Sequence, residues 1–158
     1  MPGKVVQIFI APDEGEPMRE VREVRALKGL GLEGDRYAGD KGAWSKSRRR
    51  VIRQVSLIEQ EAIERAGKFL ASEARRNIVV SGFPLNKLVG EKFLVGGCVM
   101  RGVELCDPCQ RPSKLCGKDG FEELFAGFGG LRAEVLNTDI IQVGDNCALI
   151  FFRRDNGR

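Results

Sequence analysis

The chain contains no histidine. That absence removes Ser-His and Cys-His catalytic pairs, along with every zinc site that needs an imidazole. Proton transfer must therefore run through carboxylates, lysine, tyrosine, cysteine or water. Long apolar runs are missing as well, and no segment approaches the roughly 18–20 residues that a membrane helix requires. The N-terminus, MPGKVVQIFIAPDEGEP, lacks the charged, apolar and small-residue succession of a signal peptide. Low-complexity tracts, internal repeats and linkers are absent too. These gaps lead to the expectation of one cytoplasmic domain over residues 1–158, with a loose tail from about residue 153.

What is present is an ordinary globular composition, 42% hydrophobic and 30% charged, long enough to bury a core without covalent staples. The net charge of +4 is too small to argue for nucleic acid. Its source is more telling, because 17 of the 26 basic residues are arginine. The guanidinium fork suits bidentate contacts to phosphate or carboxylate. The run 46-KSRRR-50 reads as an exposed basic loop.

Periodicity predicts mostly strands. Lys4–Ala11 is β-favouring, Pro12–Pro17 is a turn-rich break, and the Val21, Val24, Leu27 series leans towards strand. The glycine-rich 29-GLGLEGDRYAGDKGAW-44 predicts a long loop. Strand-like 51-VIRQVSLI-58 leads into the clearest amphipathic helix, with Ser56 as N-cap, Glu59 closing a capping box, and Ile58, Ala62, Ile63, Ala66, Phe69 and Leu70 on one face. Further strands are expected at 77-NIVVSG-82, Lys92–Val95, Cys98–Leu105, Gly129–Leu136 and Ile140–Phe152, the last interrupted near 144-GDN-146. Gly96-Gly97 marks a hairpin, and Asp119 with Glu122 marks a short extra helix. The fold class is mainly β, barrel-like and antiparallel, with one clear amphipathic helix and short extra helices.

Three of the five cysteines crowd into 105-LCDPCQRPSKLC-116. Cys98 and Cys147 lie in strand-like runs and read as small buried hydrophobes. The odd count and a reducing compartment speak against disulfides. A zinc site using Cys106, Cys109 and Cys116, with Cys98 or a carboxylate, is one reading. A Cys106/Cys109 redox pair is another, although Pro108 and Pro112 argue against the immediate helix such a pair needs. The third is a single functional thiol, most plausibly Cys109, in a loop leaving a strand end, with Arg111 and Lys114 near in sequence and Asp107 opposing them. A soft thiolate of that kind binds soft or high-valent metals, or carries sulfur as a persulfide.

The ordered segments 31-GLEGDR-36, 53-RQVSLIE-59, 76-RNIVVSG-82 with 85-LNKLVG-90, 106-CDPC-109, 129-GGLRAEVL-136 and 143-VGD-145 resemble the MOSC domain, the module at the C-terminus of molybdenum cofactor sulfurases. The resemblance covers about four-fifths of the chain and implies a barrel of the pyruvate-kinase-barrel-like kind. It implies that Cys109 ligates molybdenum or carries the sulfur delivered to it. By the same resemblance, Asp35, Arg36, Arg53, Arg76 and Asn77 fall in cofactor-binding segments. The molybdenum cofactor presents a phosphate, an amide-and-amine pterin edge and a metal–dithiolene group. Arg36, Arg53, Arg76 and Arg132 suit anions, with Lys114 as a further cation. Asp35 and Asn77 suit the pterin edge. Tyr37 stands where many relatives carry histidine, and the Asp40–Arg50 insertion is long and basic. The implied activities are cofactor binding, sulfur carriage or reduction of N-hydroxylated compounds, with a cysteine desulfurase or an electron-donor protein as partner. The alternatives are a non-catalytic cofactor carrier and a structural zinc protein. Pyridoxal phosphate, found on the full-length sulfurases, is not expected on this chain.

Overall fold

A computed structural model of the chain describes residues 3–39 and 53–150. The expected basic loop 46–50, the rest of the 40–50 insertion and the expected loose tail lie outside the described residues. Eleven strands are found among the described residues: β1 (Gly3–Ile10), β2 (Arg19–Val21), β3 (Glu23–Leu27), β4 (Gly31–Leu32), β5 (Val55–Glu59), β6 (Ile78–Ser81), β7 (Lys92–Val95), β8 (Cys98–Leu105), β9 (Leu131–Val135), β10 (Asp139–Gln142) and β11 (Asn146–Leu149). Seven of them close into a barrel in the order β1-β6-β5-β9-β8-β7-β11, and β11 returns to β1 through Gly3↔Cys147 and Lys4↔Asn146. Closure removes the open edges that an unclosed sheet would leave. The strand β2 hangs on the outside of β1, and β10, β3 and β4 form a separate small sheet.

Period-two alternation drives this arrangement. In β9, and in β8 as far as Gly102, every second residue is buried, so that Met100, Leu131, Ala133 and Val135 fill the barrel while Arg101, Arg132 and Glu134 point outward. The one parallel pair in the barrel, β5 with β6, cannot be joined by a tight turn. The chain crosses over through α1 (Gln60–Ala66) and a 3-10 turn at Ala71–Ala74. Covered on both faces, β6 is apolar over residues 78–80: Ile78 and Val80 join the barrel interior, while Val79 joins a second layer. That layer packs Phe9, Ile58, Ile63 and Phe69 against Phe121 and Phe125, whose rings stack at 4.4 Å. Phe121 opens α3 (Phe121–Leu124), which follows α2 (Arg111–Cys116).

Three local expectations change. The first helix begins at Gln60, and Ser56 is a strand residue whose hydroxyl is bonded to Asn77 instead of a helix N–H. That helix also stops early, because Gly67 takes a left-handed conformation at φ 67°, leaving Phe69 and Leu70 beyond it. Second, α3 is capped by Gly120 instead of the expected Asp119, with the Phe121 N–H donating to Ser113 Oγ at 3.1 Å. Third, a helix does follow Cys109 closely. Pro112 lies in the first turn of α2, where its missing N–H has no intrahelical partner to lose. The glycine-rich loop also contains β4, a two-residue strand paired to β3.

Cys98 and Cys147 lie inside the barrel, as the strand pattern predicts. Burial, with Asp139 near Cys98 and Asp145 near Cys147, pushes both thiols from an ordinary 9.0 up to about 12. An unfolded chain would ionise these thiols above pH 9 while the folded one keeps them protonated, so stability falls as pH rises from 9 towards 12. Each thiol contributes a slope of at most about 1.4 kcal/mol per pH unit. Denaturant midpoints measured at pH 8 and pH 10 are expected to fall, and Cys98→Val is expected to show the smaller drop.

Candidate functional site

Beside the outer face of β5 and β9 lies an open cleft of about 710 Å³, a volume that includes its solvent mouth. Three neighbouring strands build one wall. Register places Ser56 of β5 and Glu104 of β8 on either side of Arg132 of β9, all on the outer face. The Arg132 Nη1 is held by Glu104 Oε1 at 2.8 Å. Arg53, just before β5, lines the same wall. Burial and the Arg132 charge hold its guanidinium below the ordinary value, while Tyr37, Glu104 and Cys106 pull the other way.

The opposite wall is tied to the 12–17 loop between β1 and β2. Arg36 is buried against Asp35 at 3.1 Å, lies 4.8 Å from the Tyr37 ring centroid, and anchors through its N–H to the Ala11 carbonyl at 2.7 Å. Arg75 donates to the Glu16 carbonyl at 2.7 Å, and Arg111 pairs with Glu14 at 3.1 Å. Burial first, then the Arg36 and Arg111 charges, bring Arg75 down to about 10, which leaves it cationic at neutral pH. Among the described residues Arg75 is the sole non-glycine with positive φ, at 60°. That left-handed step ends the 3-10 turn and separates the directions of the adjacent Arg75 and Arg76 side chains.

Arg76 is largely committed to the backbone. Its Nε donates to the Gly129 carbonyl at 2.8 Å and its Nη1 to the Ala74 carbonyl at 3.2 Å. The approach depends on Gly129-Gly130: a Cβ at Gly129 would strike the Cys106 carbonyl, and one at Gly130 (φ 107°) would strike that of Leu57. The Cys106 N–H donates to the Gly130 carbonyl at 2.8 Å, extending the β8–β9 ladder by one step. The chain then leaves the sheet. Cys106 is a buried lining residue, Asp107 and Cys109 are exposed lining residues, and Arg111 and Pro112 of α2 complete the rim.

The expected site residues therefore separate. Cys109, Arg36, Arg53, Arg76 and Arg132 line one cleft. Asp35 and Asn77 do not line it. The Asp35 carboxylate accepts from the N–H of Ala11 at 3.0 Å and of Tyr37 at 3.3 Å, besides its ion pair with Arg36. Asn77 is 1% exposed, and its Oδ1 accepts from the Ser56 N–H at 3.0 Å and the Ser56 hydroxyl at 3.2 Å. Its Nδ2 donates to the Phe9 carbonyl at 3.1 Å, so one amide stitches β1, β5 and β6 together. Lys114 is exposed and lines a separate depression with Asp119, Glu122 and Glu123, because one turn of α2 carries it away from Arg111. Arg75, Gln54, Ser56 and Glu14, which motif reading did not single out as binding residues, do line the cleft. The Arg-Arg doublet is the one sequence signal that marks Arg75.

All five cysteines are free. Cys116 turns away from the cleft towards the phenylalanine layer, with its Sγ 3.9 Å from the Ser113 carbonyl. Among the described residues, no three of His, Cys, Asp or Glu come together as a metal-holding group. The zinc reading thus has no assembled ligand set there.

Among the described residues, six arginines face two carboxylates, Glu14 and Asp107, on this lining. A cationic cleft with an exposed thiol on its rim can bind an elongated anion and present sulfur to it. Comparisons with known proteins bear on the family and the fold. The family model described as the MOSC domain matches residues 44–148. No curated protein sequence matches the chain. Its structure is similar to that of the YuaD protein from Bacillus subtilis, at TM-score 0.77 and 21% identity over 93% of this chain and 94% of that one. It is also similar to YiiM from Geobacillus stearothermophilus, at TM-score 0.66 and 17% identity over 95% and 76%. YiiM from Escherichia coli gives TM-score 0.63 and 19% identity over 98% and 71%. These likenesses concern the fold.

Truncation separates the stitching residue from the cleft. Asn77→Ala leaves the Ser56 N–H and the Phe9 carbonyl without a buried partner and is expected to cost about 2–4 kcal/mol. Chemical denaturation checks this, and a loss below about 0.5 kcal/mol would contradict the stitching role.

Proposed function

Because the chain belongs to the MOSC domain family, we propose that its arginine-lined cleft binds a molybdenum cofactor, with Cys109 as the functional sulfur. The observation that carries the reading is that exposed Cys109 shares one cleft with six arginines. In the family, molybdenum cofactor binding and sulfurase-like function go together, and both demand an anion site next to a soft ligand.

The residues present fit most of that group. Arg53 and Arg132 on the strand wall supply forks for a phosphate, while Arg36, Arg75 and Arg111 keep the loop wall cationic. Arg76 contributes mainly by fixing Gly129 and, through it, the start of the cysteine loop. Two expected acceptors for the pterin edge are turned inward, since Asp35 and Asn77 are both buried and engaged. Their share in binding is to hold Arg36 and Ser56 in place. When bound, the cofactor supplies a redox-active molybdenum centre. This chain provides the anion cradle, a sulfur at Cys109 Sγ, and Tyr37 as a phenol beside Arg36.

We place the protein in a reducing cytoplasm, where Cys109 stays a thiol and is free to ligate metal or carry sulfane sulfur. None of the described helices is long and apolar enough to cross a membrane. The partner is either a cysteine desulfurase that loads the sulfur or an electron-donor protein that serves reduction of N-hydroxylated compounds. A carrier role without chemistry needs the same cleft and neither partner.

The test is anaerobic purification with the natural cofactor followed by molybdenum analysis and persulfide labelling. Cys109→Ser is expected to lose both signals at unchanged unfolding midpoint, because the side chain is exposed. Cys98→Ser is expected to keep them while lowering the midpoint. Equal signals in the two variants would contradict the assignment. Turnover of a hydroxylamine with a competent electron donor separates an enzyme from a carrier.

A further inference from the structure

With Asp35 and Asn77 buried, the question of what meets the nitrogen-rich edge of a pterin is open. Such an edge is an amino group beside a ring N–H, two parallel donors that a carboxylate accepts side by side. Among the described residues, two carboxylates line the cleft. Asp107 is exposed on the thiol loop, whereas Glu14 is held by Arg111, with Oε1 3.1 Å from Nη2. The rest of the 12–17 loop is fixed around Glu14. Arg75 grips the Glu16 carbonyl at 2.7 Å, and Ala11 is tied to the Asp35 carboxylate at 3.0 Å. Gly15, also on the lining, passes close enough to Arg111 that a Cβ there would lie 3.8 Å from Nη2.

A carboxylate in a cleft of six arginines works against anion binding, since it lowers the local positive potential. It adds nothing large to stability either, because the Glu14 side chain is 53% exposed and that of Arg111 is 37% exposed. A ligand that is anionic at one end and an N–H donor at the other resolves the conflict. Its phosphate meets the strand wall of Arg53 and Arg132, and its donor edge meets Glu14 across the cleft. We infer that Glu14, oriented by Arg111, is the acceptor for the amino-pyrimidinone edge of the ligand and so sets which way round the ligand lies. This rests on the cofactor reading above and deepens it by naming a specificity-determining residue.

The experiment uses the intact protein and two simple probes, free pterin followed by its fluorescence and inorganic pyrophosphate followed by calorimetry. Wild type is expected to bind both. Glu14→Gln, which keeps the shape and removes the paired acceptors, is expected to weaken pterin at least tenfold while tightening pyrophosphate. Glu14→Asp is expected to restore part of the pterin affinity. If Glu14→Gln tightens pyrophosphate and leaves pterin unchanged, Glu14 only neutralises Arg111 and the inference falls. Wild type that binds pyrophosphate but not pterin overturns this inference alone. Binding of neither probe overturns the cofactor reading with it.

Discussion

The cleft depends on keeping like charges together. Two guanidinium groups about 7 Å apart, at an effective dielectric near 20, repel by roughly 2 kcal/mol. Such groups on one lining scatter unless they are held from behind. The chain's own acceptors do this with Asp35 for Arg36, Glu104 for Arg132, and the carbonyls of Glu16 and Gly129 for Arg75 and Arg76. Burial first, and then the neighbouring arginine charges, hold both Arg53 and Arg75 below the ordinary guanidinium range. A preorganised cluster of this kind has little side-chain freedom left to lose when an anion enters.

The closed barrel makes such holding possible. Antiparallel register on β5, β9 and β8 sets Ser56, Arg132 and Glu104 in a row, and no loop motion can part them. The parallel β5–β6 pair brings Asn77 beside Ser56, and the Asn77 amide fastens both to β1. The loop after β1 can then be pinned at Ala11 and Glu16, which completes the second wall. The glycine pair at 129–130 lets β9 begin directly under the cysteine loop. Structure and site are therefore one set of contacts, and the thiol sits where the ladder of β8 runs out.

Much of this was legible in the residues. Alternation over Cys98–Leu105 and the Gly96-Gly97 turn predict the β7–β8 hairpin as found, and the strand count predicts the barrel. Arginine forks and a cysteine at a strand end pointed to residues that do share a cleft. The misplaced details have a common cause, that a polar side chain reads the same whether its partner is a ligand or the protein. Ser56 has the look of a helix cap, but its hydroxyl serves Asn77 across strands that are 21 residues apart in sequence. Asp35 and Asn77 have the chemistry of ligand-binding groups and spend it on backbone. Arg75 is not marked by any binding motif, because its direction comes from a left-handed backbone step, and α2, with Pro112 in its first turn, places Lys114 on a separate depression.

The central claim is that the sulfur of Cys109 and the arginine cluster face the same ligand. Its most direct test is the rate at which Cys109 is alkylated by iodoacetamide, read by mass spectrometry, with and without pyrophosphate in the cleft. The account predicts a marked slowing by the anion that is lost when Arg53 and Arg132 are both replaced by glutamine. Alkylation at one unchanged rate under saturating pyrophosphate would contradict it.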